Sequence, residues 1–114
     1  MENKDYEGRD LKYAARCYNS AIRVDPSFTK AYFNLALLYE DDEYEYKSIK
    51  RAIKNYNQVI EIQPDLADAW FNKAFLLEDE QNEKRDFPEA LKCYDQAIKL
   101  RPKDPAYYFH KANC

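Results

Sequence analysis

Glycine occurs once in this 114-residue chain and histidine once. One glycine cannot build a Gly-rich phosphate loop or a flexible linker. No run of about 18 apolar residues exists, so no membrane span and no membrane partner is expected. The N-terminal MENKDYEGRD has no apolar core and does not read as a secretory signal. Cysteine is sparse: Cys17, Cys93 and Cys114 are odd in number and have no metal-ligand spacing. That usage points to a reducing, cytoplasmic or nuclear setting. A basic excess is also missing. The net charge of −3 argues against a general nucleic-acid binder, including an RNA reader built from helical hairpins.

Aromatic side chains are plentiful, at 16%, and charged ones reach 34%. The first figure is too high for disorder and the second too high for a membrane protein. A chain of this length buries about two-thirds of its unfolded surface, so a core needs no metal or disulfide.

The sequence repeats itself. YAARCYNSAIRVDP, RAIKNYNQVIEIQP and EALKCYDQAIKLRP end on Pro26, Pro64 and Pro102, a constant spacing of 38 residues. Between them, Tyr32, Trp70 and Tyr108 share a column, as do Phe33, Phe71 and Phe109, and Ala36, Ala74 and Ala112. Before each proline, apolar residues recur every three or four positions, as in Ile49, Ala52, Ile53, Tyr56, Val59 and Ile60. Each proline stops its helix. Ser27, Asp65 and Asp104 then serve as expected N-caps for the next one. Helices are expected over 10–24, 28–41, 47–62, 66–80, 87–100 and 105–114. Ala14, Ala52 and Ala90 would let a neighbouring helix come close, and Tyr18, Tyr56 and Tyr94 would fill the adjacent gap. One hairpin cannot bury both its faces, but stacked hairpins can, which gives a solenoid.

These residues resemble the tetratricopeptide repeat (TPR) family. The match runs through Tyr32, Leu35, Ala36, Tyr39, Ala52, Tyr56, Val59 and Pro64 in one copy. Trp70, Ala74, Ala90, Tyr94, Ala97 and Pro102 carry it in the next, and Ala14, Tyr18, Ala21 and Pro26 in the first. The resemblance implies an all-α, right-handed superhelical solenoid of antiparallel helix hairpins, with about six helices here. One domain over 1–114 would hold the second helix (helix B) of a first repeat (10–26), two full repeats (27–64 and 65–102) and the first helix (helix A) of another (103–114). The period of 38 exceeds the family's usual length of about 34. The extra residues fall in EDDEYEYKS and EDEQNEKRD, where they either lengthen the helices by about a turn or form a bulkier loop. Lys73 and Lys111 stand where the family has Leu, and their stems can still cover apolar surface.

By the same resemblance, the helix A faces line a concave groove for a peptide or protein partner. The groove positions are Lys30, Phe33, Asn34, Leu37 and Glu40, then Asp68, Phe71, Asn72, Phe75 and Glu78, then Phe109, His110 and Asn113. The Phe column offers either an apolar ladder for a partner or packing between helices. Asn34 and Asn72 could bond a peptide backbone as both donor and acceptor. The family's clamp for a C-terminal carboxylate fails, because Asp68 and Asn72 occupy its basic positions. Acidic clusters at each A–B junction, among them Glu2 and Asp5, Glu40 to Glu45, and Glu78 to Glu83, suit a solvated loop or a basic partner segment. EF-hand spacing is missing, so calcium is not expected.

No catalytic, cofactor or metal site is expected, because His110 has no evident partners for such chemistry and reads as a polar helix-surface residue. Cys17 and Cys93 share one repeat position and are expected to be buried. The chain therefore reads as a non-enzymatic protein-interaction scaffold. The register also leaves a helix B at one end and a helix A at the other without partners. The chain is then either part of a longer array or a structural segment that self-associates through those end helices.

Overall fold

The computed structural model describes residues 10–113. Six helices and no strands are present among them: α1 (Leu11–Val24), α2 (Thr29–Tyr39), α3 (Ile49–Ile62), α4 (Ala67–Leu77), α5 (Phe87–Leu100) and α6 (Pro105–Ala112). The expected positions Glu2, Asp5 and Cys114 lie outside the described residues.

The B-type helices α1, α3 and α5 start alike. The side chains of Asp10, Ser48 and Asp86 accept from the backbone N–H of Tyr13, Arg51 and Glu89 at 2.9, 3.1 and 3.0 Å. Each satisfies one of the donors that a helix start leaves unpaired. The A-type helices begin differently, and the expected caps Ser27 and Asp65 do not cap. The N–H of Phe28, Leu66 and Asp104 bonds back to the carbonyl of Asp25, Gln63 and Arg101. Pro26, Pro64 and Pro102 thus sit second in a four-residue turn, a position that suits their fixed φ. The turn's last residue becomes the N-cap. Phe28 and Leu66 offer no side-chain bond there, whereas Asp104 accepts from Ala106.

Every extensive helix–helix packing joins helices consecutive in sequence, most intimately within the hairpins α2–α3 and α4–α5. Ala52 and Ala90 are fully buried, and Tyr56 and Tyr94 fill the space beside them with no exposure. Burying a large side chain of this kind stabilises by roughly 1.5–3 kcal/mol. Cys93 is also fully buried and its thiol is pushed up to about 11, chiefly by burial. Its counterpart Cys17 is exposed, contrary to the expectation of a buried thiol. Cys93 is covered by Ala74 and Leu77 of α4, and among the described residues no helix stands in that position against α1.

The four extra residues of the period form loops and do not extend the helices. α2 ends at Tyr39 and α4 at Leu77, short of the expected 41 and 80. Asp41 and Asp79 turn the chain by accepting from the N–H of Glu43 and Gln81 at 2.9 and 2.8 Å. Such side-chain bonds compete with helix continuation. The loops return to their helices through Ser48 N–H to the Tyr39 carbonyl and Asp86 N–H to the Leu77 carbonyl, at 2.8 and 3.0 Å. Tyr44 of the first loop is buried against Ala15, Leu35 and Leu38.

Candidate protein-binding groove

The helix A faces are set by a contact repeated in every copy. Each proline carbonyl accepts from the aromatic residue six positions later: Tyr32 Oη–H to Pro26, Trp70 Nε1–H to Pro64 and Tyr108 Oη–H to Pro102, at 2.9, 2.9 and 2.8 Å. The column therefore takes Tyr or Trp, which carry a donor, and the bond fixes each helix against its entry turn.

With α2, α4 and α6 so placed, Leu37, Glu40, Phe71, Asn72, Phe75 and His110 line one open pocket of about 280 Å³. All six are expected groove positions, and they come from three successive helix A segments. Leu37 and Phe75 are 43% and 44% exposed, so both present apolar surface to solvent. His110 stands edge-on to Phe71 at 5.2 Å and to Phe75 and Phe109 at 5.5 Å each. It is part of an aromatic cluster and not an isolated surface residue.

The other expected positions are not in this pocket. Lys30 is exposed in the first turn of α2, and Asn34 is half-buried. Phe33 packs edge-on to Tyr56, at 5.6 Å. Phe71, although it lines the pocket, also lies between Tyr94 and Tyr107, stacked on the latter at 5.0 Å. The Phe column thus divides: Phe33 and Phe71 pack between helices, while Phe109 is 65% exposed. Asp68 accepts from Tyr107 Oη–H at 2.7 Å and pairs with Arg101 at 3.7 Å. Burial first, and then Asp68, push the Tyr107 hydroxyl up to about 12. Glu78 caps α4 and accepts from Tyr94 Oη–H. Asn113 is exposed at the end of α6.

A polar tie that the sequence reading missed runs beneath the pocket. The Tyr56 hydroxyl donates to the Glu40 carboxylate and accepts from the Asn72 side-chain N–H at 3.3 Å. Glu40 caps α2, Tyr56 lies on α3 and Asn72 on α4, so one buried hydroxyl joins three consecutive helices. One Asn72 donor is thereby engaged, leaving its other groups for a partner. Burial raises the Glu40 carboxyl above its ordinary value, and Asp79 adds to this, while the Tyr56 bond and Lys47 oppose it. The available signal was the tyrosine column itself, because a buried tyrosine needs a partner for its hydroxyl.

Among the described residues, no group of three or more His, Cys, Asp or Glu side chains is placed to hold a metal ion. No described helix is long and apolar enough to cross a membrane.

A family model described as TPR repeat matches residues 41–81 and 79–113. Among solved structures, the chain is similar to the crystal structure of MamA, with 17% identity, a TM-score of 0.45, and coverage of 95% of this chain and 80% of that one. No curated protein matches the sequence. The family match spans more than half of the chain, each matched segment takes in one B-type helix, the repeated proline–aromatic contact and the A-type helix after it, and the chain belongs to the TPR repeat family, a non-catalytic repeat type that generally mediates protein–protein interaction.

Proposed function

We propose that the chain is an interaction scaffold that holds an extended peptide or partner segment in its concave helix A groove. The observation supporting this is the pocket to which α2, α4 and α6 all contribute. Its exposed Leu37 and Phe75 suit an apolar side chain of the partner. Glu40, with Asp79 beside it, suits a basic neighbour in the same segment. An intracellular setting, cytoplasmic or nuclear, belongs to the same proposal and is supported by the free thiols of Cys17 and Cys93.

The test is a peptide-library and pull-down screen, followed by Leu37→Ala and Phe75→Ala. Both residues are exposed, so their truncation leaves the core intact. Each variant is expected to weaken the captured partner by about tenfold. Phe71→Ala is a poorer probe, because that ring also packs on Tyr94 and Tyr107. A screen that captures nothing, or a partner held equally by both variants, removes groove binding.

A second reading is self-association through the outer helices. Its support is the exposure of Cys17 and Phe109, compared with complete burial of Cys93. A single mass at every concentration in light scattering would remove it.

A further inference from the structure

The opposite flank of α2 bears a crevice of about 910 Å³ between α1 and α3. Its floor includes Leu35, Tyr39 and Ile53, and Lys50, Arg51 and Lys54 stand along it with no acidic residue in the lining. A neighbouring depression of about 590 Å³ shares Ser48, Lys50 and Ile53 and adds Lys84, together with a Lys47 already paired with Asp42, against a single acid in its lining, Glu83. The two form one continuous cationic surface on a chain whose net charge is −3.

The fold does not need these charges. One repeat later the same helix positions hold Pro88, Glu89 and Lys92, and α5 forms and packs as α3 does. That copy also neutralises itself: Glu89 pairs with Lys73 at 3.9 Å and Asp95 with Lys111 at 2.6 Å. In α3, neither Lys50 nor Lys54 has a side-chain partner among the described residues. They stand four positions apart, where like charges repel and destabilise a helix. Arg51 lies over the Tyr39 ring at 5.9 Å. Unpaired Lys50 and Lys54, with Arg51 between them and apolar side chains beneath, are complementary to carboxylates flanking an apolar residue.

We infer that this convex crevice is a second docking surface, and that its occupant is an acidic peptide segment with an aliphatic or aromatic side chain between its carboxylates. A peptide fits better than a nucleic acid. The Tyr39 ring that a base would stack on is covered by Arg51, and the acidic groove on the other flank repels a long polyanion. The amides of Asn57 and Gln58 in the lining can bond a peptide backbone. The chain would then engage basic and acidic segments on opposite faces.

Fluorescence anisotropy with the full chain tests this. The probes are a labelled peptide alternating Glu with Leu, a matching Lys–Leu peptide and a single-stranded oligouridine. The Glu–Leu peptide is expected to bind best and to weaken with added salt. The double variant Lys50→Glu/Lys54→Glu is expected to lose at least about tenfold in affinity. It should keep its helix content in circular dichroism, since both positions are exposed and glutamate is a good helix former that suits a first turn at position 50. Phe75→Ala in the concave groove is expected to leave this affinity within about twofold, because the sites are separate. The inference is overturned if the Lys–Leu peptide or the oligouridine binds more tightly, or if the Glu–Leu peptide does not bind. It is equally overturned if the double variant binds unchanged, or if light scattering shows that the double variant only dissolves a self-assembled dimer.

Discussion

Tyr32 and Tyr56 each use a hydroxyl to join two segments, and their surroundings separate the energetic consequences. Tyr32 is half-buried and bonds an exposed carbonyl, that of Pro26, which water can reach once the hydroxyl is removed. Tyr56 is fully buried between Glu40 and Asn72. Removing its hydroxyl leaves a half-buried carboxylate without its donor and an amide without its acceptor. Tyr32→Phe is therefore expected to cost about 0.5–1 kcal/mol and Tyr56→Phe about 1–3 kcal/mol. Urea unfolding of the two variants measures both, and equal losses would show that the tie between α2, α3 and α4 stabilises nothing beyond an ordinary surface bond. The tyrosine and proline columns were legible in the sequence because periodicity alone reveals them. Their partners were not. Glu40 and Asn72 lie sixteen positions to either side of Tyr56, a separation that becomes contact only once the angles between three helices are fixed.

Helix B ends were read closely from sequence, and helix A ends were not. Over 87–100 the expected and observed spans coincide, because Asp86 caps the start and Pro102 follows the end. For α2 and α4 the residues after the true ends, EDDE and EDEQ, contain no glycine or proline, so nothing local marked a stop. The stop is made by Asp41 and Asp79 turning back on their own backbone, and by Ser48 and Asp86 closing each loop onto the preceding helix. The two loops then differ in how they attach. Tyr44 anchors the first loop by burying its ring against α1 and α2, whereas Asn82, one period later, donates to the Leu76 carbonyl at 3.2 Å. Tyr44→Ala should open a cavity beneath that loop and cost roughly 2–4 kcal/mol. Asn82→Ala should cost about 1 kcal/mol. Thermal unfolding of the pair tests the distinction. A Tyr44→Ala loss no larger than that of Asn82→Ala would mean that the ring does not anchor the loop to α1.

At the scale of the molecule, each helix leans chiefly on its sequence neighbours, and the Cα radius of gyration is 15.0 Å, against about 13 Å for a compact globule of this length. Stability in such a stack is close to a sum of nearest-neighbour terms, so it varies along the array. The helix content and the stacking order were legible from the repeat, since local periodicity and short connections determine both. The opposite charge of the two flanks was not, because adjacent residues of one helix diverge onto different faces. The distribution of burial predicts where the stack opens. Five residues of α4 are buried, but only Tyr107 of α6 is. Hydrogen exchange should therefore be slowest in α2 to α5 and faster in α6, by at least about tenfold if local opening precedes global unfolding. Uniform protection from α1 to α6 would instead show a single cooperative unit and would remove this account. His110, which closes the concave pocket, lies on α6, while Phe71, Asn72 and Phe75 lie on the firmer α4. A partner seated in that pocket bridges the two helices, so its binding should raise protection in α6 well before it changes exchange in α4.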